Sequence, residues 1–257
     1  MKRPALDLVM PMAGRGSRFV NAGMREPKPL LMLAGRPFFW WAVESARRAL
    51  CDTAPFETLT FVVLEEHIRE WAIDARLREF YPDCTIVALA DVTAGSAATA
   101  AAGIAHLDGK NPIAINDCDH AFVASDLAPA LNTMQHDKAA GGLLTFRSES
   151  PNYSYVELAE DGAVMGTVEK RVASPYAIAG CYLFRDKAAF DRAYRSYVAH
   201  CPYGELFMSG LYNEMLAAGE RIAMSVLNEH FAFGTPEEMA LVEPRLMERL
   251  SDWTRTP

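Results

Sequence analysis

Between Pro11 and Leu30 the chain reads PMAGRGSRFVNAGMREPKPL, and this stretch limits what the chain can fold into more than any other. The apolar run before it, residues 6–10, predicts a buried strand. A strand that runs into a glycine-rich turn aims several backbone N–H groups at one point. With no Cβ in the way, such a nest accepts a phosphate. Gly14 and Gly16 supply the turn, and Ser17 and Arg18 follow. Arg18 adds a forked cation matched to phosphate oxygens. Lys28, between Pro27 and Pro29, is a point charge on a stiffened segment. A lone Gly-x-Gly is an ordinary tight turn. No Gly-Lys-Ser/Thr follows, so this is not the Walker loop. The third glycine of a dinucleotide fingerprint is replaced by Ser17-Arg18.

Downstream, strand and helix signals alternate. PFFWWAVESARRAL predicts a helix from Pro37, with aromatics too dense for a solvated face. Residues 59–67 read as a strand, 68–80 as one helix, 85–90 as a strand and 100–107 as a small-residue helix. Residues 112–116 form a fourth strand running into Asn116-Asp117-Cys118-Asp119-His120. Alternation of this kind predicts parallel βαβ units. Two aspartates at i and i+2 past a strand end can face one hard cation, or they can cap a turn. His120 reads as a hydrogen-bonded loop histidine.

A capped helix over 126–135 and a strand over 143–146 follow. Asp161-Gly162 marks a hairpin. Glu169-Lys170 closes it, and because neighbours on a strand point apart, both reach one ligand only if the strand ends or bulges there. Residues 177–184 and 222–227 read as strands, 187–199 and 206–218 as helices. Gly234-Thr235-Pro236-Glu237 opens a last helix, with residues 251–257 expected to fray.

The strand, GRGSRF and PKPL in this order resemble the nucleotidylyltransferases that activate sugar 1-phosphates and related metabolites, including phosphocholine. VEKR before AIAGCYLF, the Asp119 region and GTPE resemble the same family, so the likeness covers nearly the whole chain. It implies one α/β domain over residues 1–257. Its fold would be a mixed, mostly parallel sheet with helices on both faces, the Rossmann-like nucleotide-diphospho-sugar transferase fold, with a β-hairpin flap. It implies transfer of a nucleotidyl group from an NTP to a phosphorylated metabolite, in nucleotide-sugar or surface-polysaccharide biosynthesis. Arg18, Lys28 and Asp119 would be catalytic. Ala13, Gly14, Gly16, Ser17, Thr93 and Gly95 would bind nucleotide, and Tyr155, Glu169 and Lys170 the acceptor. Asp119 with Asp117 would hold Mg²⁺ or Mn²⁺.

The sequence departs from the family at three places. Ala98 stands where some members read the base with glutamine, which leaves the base open. Ser154-Tyr155 replaces a Gly-Val, which leaves a sugar acceptor open. Ala232 replaces a second metal-binding aspartate, so that Glu229 or Asp117 would substitute, or one carboxylate would serve with the triphosphate. Two rival classes are a metal-dependent glycosyltransferase using Asp117-Cys118-Asp119, which does not need GRGSRF with PKPL, and a non-catalytic nucleotide-sugar binder.

A net charge of −8 and a pI near 5.3 argue against nucleic-acid or anionic-membrane partners. Five scattered cysteines without CxxC give no disulfide framework, and no apolar run reaches membrane length. A cytoplasmic protein is expected, its partners an NTP and a small phosphorylated metabolite; a homo-oligomer stays open.

Overall fold

The computed structural model describes residues 5–50, 56–124, 131, 134 and 139–255. The helix expected over 126–135 lies outside these residues apart from two isolated positions. The first strand is β1 (Leu6–Pro11), followed by helix α1 (Ser17–Asn21). A 3₁₀ turn (Lys28–Leu30) and a short pair, β2 (Met32–Leu33) with β3 (Arg36–Pro37), lead to α2 (Phe38–Leu50). Next come β4 (Phe56–Leu64), α3 (Glu65–Trp71), α4 (Ile73–Phe80), β5 (Thr85–Leu89), α5 (Ser96–Ile104) and β6 (Ile113–Asn116). β1, β4, β5 and β6 pair in parallel in the order β6-β1-β4-β5.

The second half begins with β7 (His120–Val123) and β8 (Gly141–Arg147). β9 (Tyr155–Leu158) and β10 (Val164–Val168) form the expected hairpin. β11 (Tyr176–Phe184) runs antiparallel to β6, β8 and β9 and so joins the two halves of a nine-stranded mixed sheet. Helices α6 (Lys187–His200) and α7 (Gly210–Ala217) precede β12 (Ile222–Val226), which pairs parallel with β8. β13 (Glu229–Ala232) pairs antiparallel with β7 in a separate ribbon. The last helix is α8 (Pro236–Leu250), whose N-cap Thr235 accepts the amide of Glu238 at 3.2 Å.

Period-two alternation sorts each central strand between two cores. On β11, Ala179, Cys181 and Leu183 face the core that holds Phe38, Phe39 and Trp41 of α2. Ile178, Tyr182 and Phe184 face the other, with Ala97 and Ala100 of α5 and Phe190 of α6. Helices therefore cover both faces. Gly103 shows how tightly α5 sits on the sheet: a Cβ there would fall 2.7 Å from Val62 and 2.8 Å from Val9.

Four expectations are corrected. The strand read over 59–67 ends at Leu64, because Glu65 and Glu66 open α3. The helix read over 68–80 is broken at Ala72, which takes φ 48°. The helix read from 206 starts at Gly210, leaving Phe207 and Met208 as cleft wall. The chain end does not fray through 251–255. It forms a 3₁₀ turn (Ser251–Arg255), Trp253 lies 6.3 Å from Trp41, and Arg36 donates to the carbonyl of Thr254 at 3.1 Å.

Candidate active site

β1 has β4 on one side and β6 on the other, so the chain direction of the crossovers reverses between β1 and β6. Ligands of open α/β sheets bind outside the carboxyl ends of strands at such a switch point. Here β1 ends at Pro11 and runs into the glycine loop, while β6 ends at Asn116 and runs into Asp117 to Asp119. A cleft of about 510 Å³ lies there.

Its walls bring together Ala13, Gly14, Gly16, Arg18, Lys28, Thr93, Gly95, Asp117, Asp119, Glu169 and Lys170. Ser17 is exposed at the start of α1 and does not line it. Tyr155, expected at the acceptor, stands outside it too. As the first residue of β9 it is fully buried, and its hydroxyl donates to the carbonyl of Ser150 at 2.7 Å. Asn152 and Ser154 line the cleft in its place.

Two glycines are fixed by geometry. Gly16 takes φ 60°, and a Cβ there would meet the Lys28 Cβ at 3.2 Å, so the loop packs on the lysine stem. Gly95 takes φ 146°, and a Cβ would lie 2.6 Å from the backbone of Leu206. Strand-like bonds fasten the two segments, with Ala97 N–H on the Leu206 carbonyl at 3.0 Å and Leu206 N–H on that of Ala94 at 2.9 Å. Glu205, Phe207 and Met208 thereby become the wall facing the Gly95 loop. Arg15, between the two loop glycines, bridges to the exposed Asp91 at 3.0 Å.

The Lys28 ammonium donates to Oδ2 of Asp119 at 2.8 Å. Burial weighs against the ammonium, but Asp119 and the other negative neighbours outweigh it and hold Lys28 charged above its ordinary range. Asp119 moves the other way: burial opposes its charge, yet Lys28 keeps its carboxyl below the usual value. Asp117 is pushed up to about 7, first by burial, then by Asp119, with Glu169 adding to it. Burial holds Cys118 near 12, an inert thiol.

Small residues make space beside both carboxylates. A Cβ at Gly180 would lie 3.0 Å from Oδ2 of Asp117, and one at Gly234 2.8 Å from Oδ2 of Asp119. Two hard oxygen donors in a cradle that side chains would fill suit a divalent cation. Among the described residues no cluster of three His, Cys, Asp or Glu could hold a metal unaided. Glu229 is not a substitute for the aspartate replaced by Ala232, since Arg249 grips it through Nε at 2.9 Å.

The strand β10 ends at Val168, and Lys170 takes φ 51°. This break lets both Glu169 and Lys170 line the cleft. Oε1 of Glu169 accepts from Ser154 at 2.6 Å and also from Ser209. The Lys170 ammonium lies 5.4 Å from the Phe207 ring. Beyond them Tyr153 donates to Glu238 at 2.8 Å, and Glu238 also accepts the Gly234 amide at 3.0 Å. Sequence reasoning gave Tyr153 and Glu238 no site role, because their pairing spans 85 positions. His120 lies on β7 rather than in a loop, with Nε2 3.0 Å from Oδ1 of Asn116. Burial lowers it to about 4, so it is neutral.

Residues 9–230 match the MobA-like NTP transferase domain. The chain belongs to that family. It is a nucleotidyltransferase by this membership. A nucleoside-diphosphate-sugar pyrophosphorylase from Vibrio cholerae RC9 superposes with a TM-score of 0.75 at 28% identity, over 92% of this chain and 99% of that one. Two further structures share the fold. One is described as a glucose-1-phosphate thymidylyltransferase from Bacillus anthracis (TM-score 0.73, 18% identity, 94% and 95% covered). The other is a UDP-glucose pyrophosphorylase from Acinetobacter baumanii (TM-score 0.70, 14% identity, 95% and 94% covered). No curated protein matches the sequence. No helix among the described residues is long and apolar enough to cross a membrane.

Proposed function

We propose that one α/β unit transfers a nucleoside monophosphate from an NTP to a phosphorylated metabolite, a sugar 1-phosphate or a relative of one, and releases pyrophosphate. The observation that carries this reading is the 2.8 Å contact between Lys28 and Asp119, 91 positions apart, beside the glycine loop. It sets a cation, a carboxylate and a phosphate nest at one point. The nucleotide lies along Ala13, Gly14, Gly16 and the Thr93–Gly95 segment, with Arg18 on its outer phosphates. Ser17 contributes its backbone rather than a buried hydroxyl.

The acceptor phosphate needs no general base, since it is already anionic at neutral pH. Its oxygen forms a bond to the α-phosphorus while the bond to the β-bridging oxygen breaks, and pyrophosphate leaves with the electron pair. Lys28 neutralises charge that grows on the α-phosphate, a preorganised electrostatic role. Lys170 holds the acceptor phosphate and Glu169 its polar body, which supplies positioning. Asp119 and Asp117 would hold Mg²⁺, which would supply charge to offset the negative charge of the phosphates.

A pyrophosphate-release screen of ATP, CTP, GTP, UTP and dTTP against phosphorylated sugars and amino-alcohol phosphates tests the proposal. One pair is expected to turn over well above the rest. Nucleotide-sugar binding with no release from any pair would instead favour a binding protein, the reading that Ala232 motivates.

A further inference from the structure

The cleft continues past its acceptor wall. A cavity of about 180 Å³ adjoins it, lined by Asp117, Asp119, Ser154 and Gly180. Tyr153, His230, Ala232 and Glu238 line this cavity and also a third one of about 780 Å³. The three spaces are therefore in series, and the hydrogen bond from Tyr153 to Glu238 crosses the second partition.

The outer cavity has a different charge character. Arg147 and Arg245 both line it. Each guanidinium lies over an aromatic ring, Arg147 at 5.3 Å from Tyr176 and Arg245 at 5.2 Å from Phe231. Neither takes part in an ion pair among the described residues. The two carboxylates in the same walls are already answered. Arg249 holds Glu229, and Tyr153 with the Gly234 amide holds Glu238. Ser148 and Ser150 add hydroxyls, and Nε2 of His230 is buried without a partner. Exposed guanidiniums that each lie over a ring and have no carboxylate partner among the described residues suit phosphate or carboxylate oxygens.

We infer that this outer cavity is a second ligand compartment, taking an anionic phosphate or carboxylate group between Arg147 and Arg245. The group belongs either to the far end of the acceptor or to a separate small anion. Only the first source rests on the proposed function.

Crystals of the wild type and of an Arg147→Ser/Arg245→Ser double variant, soaked in sodium tungstate, separate the outcomes. Anomalous density is expected between the two guanidiniums in the wild type and not in the variant, with density at the Gly14–Arg18 loop in both. No outer density in the wild type, or outer density that survives in the variant, overturns the inference. Outer density with an empty loop supports it and counts against the proposed nucleotide site instead. Pyrophosphate-release kinetics then assign the source. With an acceptor anion, the double variant raises KM about tenfold for acceptors carrying a second anionic group and leaves singly phosphorylated ones unchanged. With a separate anion, inorganic phosphate shifts kcat or KM of the wild type but not of the variant. A variant that matches the wild type in both assays overturns the functional part of the inference.

Discussion

Gly234 leaves the Asp119 carboxylate its room: a Cβ on that glycine would stand 2.8 Å from Oδ2. The glycine is held in turn by its amide on Glu238. Gly234→Ala is therefore expected to push Asp119 from its position rather than to unfold the turn. A displacement of this size costs about a hundredfold in rate. Pyrophosphate-release kcat and a thermal melt, measured together, check this; a large drop in melting temperature would mean the turn itself had failed.

Lys28→Ala removes one preorganised cation from the cleft. Turnover is expected to fall by about two to three orders of magnitude. Nucleotide affinity, measured by titration calorimetry, should change far less, because the loop amides and Arg18 remain. An unchanged kcat would remove Lys28 from the chemistry.

The two aspartates should differ. Asp119 is the one kept ionised by Lys28, whereas burial raises Asp117. Asp119→Ala is expected to abolish Mg²⁺-dependent turnover, and Asp117→Asn to weaken it less. A metal titration of both variants decides the register, and reversed effects would place the principal ligand at Asp117.

Lys170→Ala tests the proposed acceptor side. If Lys170 holds the acceptor alone, the acceptor KM should rise while the nucleotide KM stays within about twofold. Equal rises in both would return Lys170 to a general electrostatic role.

Acid stability has a marker outside the cleft. Burial lowers His67 below its ordinary 6.5, although Glu66 and Glu70 favour its charge. The unfolded chain then binds a proton that the folded chain refuses. The contribution of His67 is complete above about pH 6.5 and is lost as pH falls below it. His67→Leu should flatten the fall in unfolding free energy by up to about 1.4 kcal/mol per pH unit. Urea titrations between pH 7 and pH 5 measure it, and an unaltered slope would falsify the assignment.

The parts of the site that were legible in the sequence are contiguous there. β1 with the glycine loop, Pro27 to Pro29, and β6 with Asp117 to Asp119 each carry backbone and chemistry in one short string. What escaped was assembled across distance. The ribbon of β7 and β13, the strap of Leu206 against Ala94 and Ala97, and the pair Tyr153–Glu238 have no local pattern. Ala72 was missed because alanine favours a helix, whereas here it takes φ 48° as the cap shared by α3 and α4. Tyr155 was placed at the acceptor by analogy. Strand parity instead turns its ring into the protein, and the half-buried Ser154 lines the cleft.

The position of β11 sets an order of assembly on the ribosome. The parallel half, β6-β1-β4-β5, is complete in the nascent chain once Asn116 has emerged. The hairpin carrying Glu169 and Lys170 has no anchor to that half until Tyr176–Phe184 arrives to pair with both. Long-range pairing of this kind is slow to form. A chain paused between those two points would display the glycine loop with the hairpin side of the cleft still open to water. On the proposed reading it could hold a nucleotide before it could offer it a partner.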